Sequence, residues 1–464
     1  MRPRMVSRGP ACSVILPACP WGWAGDSSIF AKKKQGACAI ILRCLSGLIL
    51  VALGACSTPV VQDQVCRGLV SGLGEAQFST QGAAGSGVAP EGAFRADVAA
   101  RTARMIAARV APRPVGVPEQ AAIIGDGPVN PSFERRSVAG RVAQVIDIDL
   151  LAMTTGGQYG SFSSGFLTGW GARGERPDFA VVTGASAGGI VAPILFAGPE
   201  FDDRLRLNTG IGQADVVRRR AVFELLGASS LFSTQPLRRS VEAAVDPALV
   251  AAIGARWAAG NDLFLGATNL DRGRFDLFDI GALMADGAVP VADKQACLVS
   301  AMMATSAIPA LFPPQRINGD LYTDAGVRQS VFLQGVRDGI AESQRLLGVR
   351  VRVTATVIVN GDLEVDEVKT ATGLLGVATR TFDLVADEGL RQSLIETADL
   401  ARAAGWRLQA VRAPGFDTLG CLGDTDLFSP CVTRALFAAG DALARAPEIG
   451  WLDGNDLKQI ARRY

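Results

Sequence analysis

The sequence predicts an α/β fold, a three-layer α/β/α sandwich whose central sheet is mostly parallel. Short apolar runs of strand length alternate along the chain with longer runs that suit helices. Several of the short runs end in glycine or in small polar residues, which is typical of strands that lead into turns. Strands that alternate with helices pair in parallel, and the helices then cover both faces of the sheet.

The elements can be assigned in chain order. The predicted strands are residues 145–151, 179–182, 261–271, 321–323, 350–359 and 406–411, with 275–280 as a partner strand or a turn. The predicted helices are residues 187–196, 297–306, 374–404 (one helix or two) and 431–446, and residues 198–260 are expected to be mostly helical. Because helices separate most of the strands, we expect one sheet between two helical layers.

Residues 178–190 have the pattern of a nucleophile elbow. The apolar run 179–182 leads into Gly184, Ser186 and Gly188, which form the motif G-x-S-x-G between a strand and a helix. Glycines on either side of the serine let strand and helix approach closely and let the turn take strained dihedral angles. The N-terminus of the following helix favours negative charge, which suits the transition state of acyl transfer. Ser186 is therefore the candidate nucleophile, although this motif alone is more often an ordinary glycine turn.

The chain contains no histidine, which excludes a Ser-His-Asp triad. A carboxylate or a lysine must then remove the proton of the serine hydroxyl. Asp324 follows the short predicted strand 321–323 and precedes Gly326 by two residues, so a turn can hold its carboxylate at the sheet edge that carries Ser186. Because a carboxylate is a weak base, we expect burial to raise the pKa of Asp324. The alternative for Asp324 alone is a turn residue, since Asp beside Gly is common in turns.

A glycine-rich loop follows the first strand of the predicted domain. It contains Gly156, Gly157, Gln158 and, after one more residue, Gly160. This loop, then G-x-S-x-G, then D-A-G, in that order, make residues 140–455 resemble the patatin-like phospholipase family. The resemblance implies that the backbone N–H groups of Gly156, Gly157 and Gln158 form the oxyanion hole, with Gly160 completing the spacing.

The loop departs from the family's usual pattern at two positions. Thr155 stands where the family usually continues a triple glycine, and Tyr159 stands where an arginine is common. Both departures leave the N–H donors in place, so they bear on rate and substrate more than on reaction type.

The resemblance implies a lipid acyl ester hydrolase of the phospholipase A type. Ser186 and Asp324 would act as a catalytic pair through an acyl-enzyme, with a lipid or another acyl ester as substrate and with no cofactor. Two alternatives stay open: a non-catalytic lipid-binding lipoprotein of the cell envelope, and an esterase or thioesterase that acts on soluble acyl groups. The sequence does not indicate an oligomeric state.

Residues 1–55 carry the features of a secretory leader. Lysines at 32–34 precede a largely apolar segment, residues 36–55, which ends in Leu-Gly-Ala before Cys56. This ending resembles a bacterial lipobox, in which the chain is cut before the cysteine and the cysteine is acylated. The alternatives are an ordinary membrane anchor and a signal peptide with an incidental cysteine; Arg43 within the apolar run weighs against a spanning helix.

Lipidation of Cys56 would hold the protein at a membrane of the bacterial cell envelope, where lipid substrates reside. Ser57 after the cysteine is compatible with delivery to the outer membrane, facing the periplasm or the surface. Residues 56–140 are rich in Gly, Ala, Ser and Pro, which predicts a tether, partly disordered, with one helix near residues 95–110. The catalytic domain is expected to span residues 141–455.

Charge is distributed unevenly along the 464 residues. Residues 1–55 have a net charge of +6, and since the whole chain has +1, the remainder has −5. A mildly acidic body argues against nucleic acid as a partner. Residues 1–31 lie far upstream of the lysine run, which favours a translation start that has been set too early.

Cleavage before Cys56 would leave four further cysteines, Cys66, Cys297, Cys421 and Cys431. Cys421 and Cys431 lie in a loop-like stretch and could form a disulfide in an oxidising compartment; two free thiols are the alternative. The sequence has no C-x-x-C pair, no histidine and no acidic ladder, so it predicts no metal site.

Overall fold

In a computed structural model, the strands and helices form the α/β/α sandwich that the sequence predicts. The structure describes residues 61–66, 69, 102, 105, 106, 109, 135–138, 141–225, 228–361, 363, 369–421 and 426–462. They belong to one of the chain's two compact units, Pro59–Tyr464. The predicted lipidation site, Cys56, lies outside the described residues, as does most of the predicted tether.

The central sheet is mixed, with a parallel middle. The described strands are β1 (Asp63–Gln64), β2 (Arg135–Val138), β3 (Arg141–Met153), β4 (Val181–Ala185), β5 (Arg218–Arg219), β6 (Phe232–Ser233), β7 (Asp262–Asn269), β8 (Arg274–Asp279), β9 (Gln315–Ile317), β10 (Asp320–Thr323), β11 (Arg350–Val359) and β12 (Arg407–Arg412). The order along the sheet is β1-β9-β10-β7-β4-β3-β11-β12, with β2 beside β3 and β8 beside β7. Strands β7, β4, β3, β11 and β12 are parallel, whereas β2, β8 and β10 run antiparallel to their neighbours.

Helices connect most of these strands. The described helices are α1 (Gly160–Ala172), α2 (Ala187–Ala197), α3 (Asp202–Leu205), α4 (Gln213–Val216), α5 (Gln235–Ala244), α6 (Pro247–Ala258), α7 (Ile280–Ala285), α8 (Val291–Thr305), α9 (Gln334–Leu347), α10 (Leu374–Ala404), α11 (Pro430–Arg445) and α12 (Gly454–Ala461). Among these described helices, none has the length and apolar character needed to cross a bilayer.

Both faces of the sheet are buried, as strand β3 illustrates. Leu151 and Met153 belong to an apolar cluster that includes residues of α1, α2, α6, α8 and α11. Ile148, Leu150 and Ala152 belong to a second cluster with residues of α9, α10 and α12. Because successive side chains of a strand point to opposite faces, a strand that is buried on both sides needs a nearly continuous apolar run. The two clusters confirm the predicted three layers.

Residues 198–260 differ from their prediction as mostly helical. They contain α3, α4, α5 and α6, but also the two-stranded pair β5–β6. The pair forms because Phe232 is buried in a small apolar cluster with Leu311 and Phe312, and its N–H donates to the carbonyl of Leu311 at 2.9 Å. Tertiary packing therefore overrides the local helical preference.

The described pieces near the N-terminus are attached to the sheet. β1 pairs in parallel with β9, and Cys66 forms a disulfide with Cys297 of α8, with 5.6 Å between the Cα atoms. Met105 and Ile106 are buried in the cluster that contains α9 and α10. Although composition predicts a tether for residues 56–140, these pieces pack on the domain; the boundary at residue 140 stays a prediction.

A second disulfide joins Cys421 and Cys431, with 5.9 Å between the Cα atoms. The structure therefore has the first of the two arrangements that the sequence leaves open. The bond fixes the loop before α11 to the beginning of that helix.

Candidate active site

Ser186 lies in a tight turn between β4 and α2. Its φ of 50° and ψ of −119° are unusual for a residue with a side chain, and only 5% of its surface is exposed. A Cβ on Gly184 would lie 2.6 Å from the carbonyl oxygen of Gly188, and a Cβ on Gly188 would lie 2.5 Å from that of Met153. The two motif glycines are therefore required by the closeness of strand and helix.

The hydroxyl of Ser186 donates a hydrogen bond to Asp324. The Oγ to Oδ2 distance is 2.7 Å, and both groups are buried. Asp324 follows β10 and caps a 3₁₀ turn, Ala325–Val327, where its Oδ1 accepts a hydrogen bond of 2.8 Å from the N–H of Gly326. The turn directs one carboxylate oxygen to its own backbone and the other to the serine.

Asp324 is buried and has an elevated pKa. Its exposed fraction is 1%, and burial raises its pKa from 3.8 to about 7. The hydrogen bonds from the Gly326 N–H and from the Ser186 hydroxyl oppose this rise because they stabilise the charged carboxylate. A carboxyl group with this pKa is a much stronger base than an exposed aspartate.

Three further side chains hold this pair in place. The N–H of Ser186 donates to Thr305 Oγ1 at 2.9 Å, and Ser306 Oγ donates to the carbonyl of Ser186 at 3.1 Å. Thr268 Oγ1 donates to the carbonyl of Asp324 at 2.9 Å. Thr268 lies at the end of a predicted strand, where the walls of active sites form in open parallel sheets, although such a residue can also simply end the strand. Thr305 and Ser306 only end a helix, and no sequence signal marks their roles.

The glycine-rich loop lies beside Ser186. Gly156, Gly157 and Gln158 line the same cavity as Ser186 and Asp324. A Cβ on Gly156 would lie 1.8 Å from the carbonyl oxygen of Asn360, so only glycine fits. Gly157 has a φ of 53°, and a Cβ there would meet nothing within 4 Å.

Gly160 begins α1, where a Cβ would lie 2.8 Å from the Cβ of Ala187. This spacing lets α1 begin directly beside the first residue of α2. The fourth glycine of the sequence pattern therefore sets the position of the loop relative to the elbow.

The two unusual residues of the loop make contacts of their own. The hydroxyl groups of Thr155 and Ser330 are 2.8 Å apart and share a hydrogen bond, and the N–H of Ser330 donates to Ser393 Oγ of α10 at 3.1 Å. The ring of Tyr159 lies 4.7 Å from that of Phe416, centroid to centroid. Thr155 and Tyr159, the two residues that depart from the family's usual pattern, therefore connect the loop to the walls of the cavity.

Two cavities meet at Ser186. The larger one has a volume of about 320 Å³ and is lined on one side by the first half of α10. The smaller one has about 60 Å³ and is lined mainly by apolar side chains, among them Ile190, Val216 and Phe312. Ile308 and Phe428 border both. Ile308 and Phe312 belong to residues 307–314, a segment that contains three prolines and leads to β9.

The α10 side of the larger cavity is charged. Arg380, Asp383, Asp387 and Arg391 all line it. Burial raises the pKa of Asp383, and the nearby Arg380 partly opposes this. Asn360, which follows β11, also lines this cavity. Its Nδ2 donates to the carbonyl of Thr154 at 2.9 Å, and its backbone N–H donates to Thr154 Oγ1 at 2.8 Å.

A metal centre is not evident in the described part of the chain. Within it, no group of three His, Cys, Asp or Glu side chains could hold a metal ion.

Comparison with known proteins gives one family match. Residues 151–336 match the model of a family described as patatin-like phospholipase. This segment contains the glycine-rich loop, Ser186 and Asp324. None of the curated proteins compared with the chain matches it.

Among solved structures, VipD from Legionella pneumophila is similar at 12% sequence identity and a TM-score of 0.34. The alignment covers 71% of this chain and 73% of VipD. This likeness is too distant to bear on function.

Proposed function

We propose that this protein hydrolyses carboxylic esters of lipids through an acyl-enzyme on Ser186, as a phospholipase A does, because residues 151–336 match the patatin-like phospholipase family. The observation that carries the proposal is the 2.7 Å hydrogen bond between Ser186 Oγ and Asp324 Oδ2. It joins a nucleophile in an elbow to a buried base, in a chain that has no histidine.

In the first half of the reaction, Asp324 accepts the hydroxyl proton as Ser186 Oγ attacks the ester carbonyl carbon. The negative charge that develops on the carbonyl oxygen is stabilised by the N–H groups of Gly156, Gly157 and Gln158 and by the N-terminal end of α2. The intermediate collapses, the C–O bond to the alcohol breaks, and the alcohol takes the proton from Asp324.

In the second half, Asp324 accepts a proton from water, and the resulting hydroxide attacks the acyl-enzyme. The second tetrahedral intermediate expels Ser186 Oγ, which regains its proton from Asp324, and the fatty acid leaves. The elevated pKa of Asp324, about 7, supports this role because the same group must accept and return a proton near neutral pH.

The test is hydrolysis of a short-chain chromogenic ester and of phospholipid vesicles by the purified protein. We expect Ser186→Ala and Asp324→Asn each to lower kcat by about a thousandfold or more. Ser240→Ala, on the exposed face of α5, is the matched control and should keep full activity. A fluorophosphonate probe should label the wild type but not Ser186→Ala.

Folded wild-type protein that neither turns over an ester nor reacts with the probe would favour a lipid-binding lipoprotein instead. A rate on vesicles no higher than that on monomeric esters would favour an esterase or thioesterase for soluble acyl groups. Activity that survives in Ser186→Ala would contradict the assignment of the nucleophile.

We further propose that the protein is an envelope lipoprotein anchored through Cys56. The support comes from the sequence alone, namely the basic run, the apolar segment and the Leu-Gly-Ala-Cys ending. Metabolic labelling with a radioactive fatty acid should mark the wild type and not Cys56→Ser. Equal labelling of both would exclude this anchor.

A further inference from the structure

The two cavities at Ser186 differ in chemistry, and this difference suggests how a substrate would lie. An ester attacked by Ser186 extends in two directions from its carbonyl carbon, the acyl chain on one side and the alcohol on the other. The smaller cavity is lined mainly by apolar side chains and has a volume of about 60 Å³, so it suits the first carbons of an acyl chain. The larger cavity, with charged side chains on α10, is then left for the alcohol side.

Arg391 is the most buried charged group of the α10 wall. Its exposed fraction is 8%, and its Nη2 contacts Glu388 Oε2 at 3.2 Å, one turn earlier on the helix. Its Nη1 is buried and has no hydrogen-bond partner among the residues that the structure describes. A buried donor of a charged group that stays unsatisfied is destabilising. Because Arg391 lines the cavity, a small rotation of its guanidinium would let a ligand oxygen supply the missing acceptor.

The other charges of the wall restrict what kind of attraction is involved. Asp383 and Asp387 line the cavity together with Arg380 and Arg391, so positive and negative side chains are balanced there. Because their charges cancel, these four side chains would not attract a negatively charged ligand by overall charge alone. Recognition has to come from the directed N–H groups of the guanidinium, which match the oxygens of a phosphate in planar, paired geometry.

We propose that Arg391 binds the phosphodiester of a phospholipid on the alcohol side of the scissile ester and thereby selects phospholipids over neutral esters. This inference rests on the proposed ester hydrolysis at Ser186. In a glycerophospholipid the phosphate lies only a few bonds from the ester carbonyls, so a deep arginine in the same cavity as Ser186 can reach it. Arg391 is a binding residue in this scheme and takes no part in proton transfer.

The chain offers a matched control for Arg391. Arg402 lies on the same helix and contacts Asp399, also three residues earlier, at 2.5 Å. Its side chain is 72% exposed, and it does not line the cavity. Arg391→Gln and Arg402→Gln therefore remove the same charge from the same kind of ion pair, inside and outside the site.

The experiment measures kcat/KM of the full-length protein for a short-chain phosphatidylcholine below its micelle concentration and for a neutral diacylglycerol of the same chain length. We expect Arg391→Gln to lower the ratio of the two values by a factor of about ten to one hundred. Arg391→Lys, which keeps the charge but loses the planar fork, should fall in between, and Arg402→Gln should leave the ratio unchanged.

An equal loss on both substrates would overturn the proposal, because Arg391 would then have only a structural role. Two values of kcat/KM that both stay at the wild-type level would overturn it as well. A wild type that hydrolyses neither substrate would instead contradict the proposed function.

A binding measurement tests the inference independently of turnover, on variants whose circular dichroism spectra match that of the wild type. Glycerophosphocholine, a phosphodiester without acyl chains, should bind the wild type in titration calorimetry, and Arg391→Gln should weaken it by a similar factor. Inorganic phosphate should bind more weakly than glycerophosphocholine. Phosphate binding without glycerophosphocholine binding would show a free-phosphate site and overturn the assignment.

Discussion

The two sides of the larger cavity are built in different ways. Its floor, formed by the loop Gly156–Gln158 with Ser186 and Asp324, is defined by backbone contacts so close that a single methyl group would not fit at Gly156. Its α10 wall is defined by side chains, and none of residues 376–389 is buried. The floor therefore fixes the chemistry and tolerates little change, whereas the wall can vary and so can set the choice of substrate.

The strongest test of the close packing in the floor compares two adjacent glycines, of which Gly156 has no room for a methyl group and Gly157 has room. In Gly156→Ala the new Cβ would meet the carbonyl of Asn360, so we expect a loss of about 1–3 kcal/mol in the free energy of unfolding and at least a hundredfold loss of activity, roughly. In Gly157→Ala the methyl group meets open space, and only the positive φ is unfavourable, by about 1 kcal/mol. Chemical denaturation and ester hydrolysis measure both; equal behaviour of the two variants would mean that the contact with Asn360 does not restrict the floor.

The pH dependence tests the burial of the base. Only ionised Asp324 can accept the serine proton, so activity should rise with pH and level off above about pH 7. At pH 5 we expect kcat/KM to be about a hundredfold below the plateau. A profile that is already flat from pH 5 upward would mean that the pKa of the base is not elevated.

The same burial predicts a stability effect of opposite sign. The pKa of Asp324 is higher in the folded protein than its ordinary value of 3.8, so the folded state binds the proton more tightly. The resulting stabilisation is complete below about pH 4 and is lost as the pH rises through about 7. Asp324→Asn, which stays neutral, should be more stable than the wild type by about 1–3 kcal/mol at pH 8, and the difference should vanish near pH 4. Thermal melts at both pH values measure this.

Variants of Thr305 test whether the hydrogen bond from the Ser186 N–H to Thr305 Oγ1 positions the serine. Thr305→Val keeps the shape but leaves the N–H of Ser186 without its acceptor, so we expect about a tenfold loss of kcat through a misplaced serine. Thr305→Ser keeps the hydroxyl and should retain most of the activity. If the valine and serine variants are equally active, the hydrogen bond does not position Ser186.

The smallest effect is expected on the outer surface of the wall. Leu384 and Val385 of α10 are apolar and 44% and 45% exposed. Replacing both by serine should change stability by less than about 0.5 kcal/mol. We expect the rate on phospholipid vesicles to fall a few-fold while the rate on a monomeric ester is unchanged. Leu346→Ser, at an exposed leucine of α9, is the control. An equal fall in the vesicle rate for both changes would contradict a specific contact between the α10 wall and the vesicle surface.

The same division explains how much the sequence could predict. Residues 350–359 and 374–404 have the predicted bounds, because a long β-branched run and a long helical period are strong local signals. The pairing of Ser186 with Asp324 was predictable because each lies in a short motif at the end of a strand. The sheet topology confirms the predicted fold class, and the family match over residues 151–336 confirms the patatin-like resemblance.

Contacts between distant segments that carry no sequence motif could not be predicted. The Cys66–Cys297 disulfide joins residues 231 apart, and strand β1 has only two residues, too few for a periodic signal. Thr305 and Arg391 acquire their surroundings only when α8 and α10 reach the sheet, and a lone threonine or arginine in a helix has no local signature. The sequence therefore predicts the floor better than the wall.

The Cys66–Cys297 disulfide also determines what happens when the chain is cleaved by a protease. A cut between residues 70 and 134 would leave the N-terminal fragment covalently attached to α8. If Cys56, ten residues before Cys66, is acylated as proposed, the nicked protein would stay at the membrane with Ser186 and Asp324 intact. Release of the domain would then require reduction as well as proteolysis.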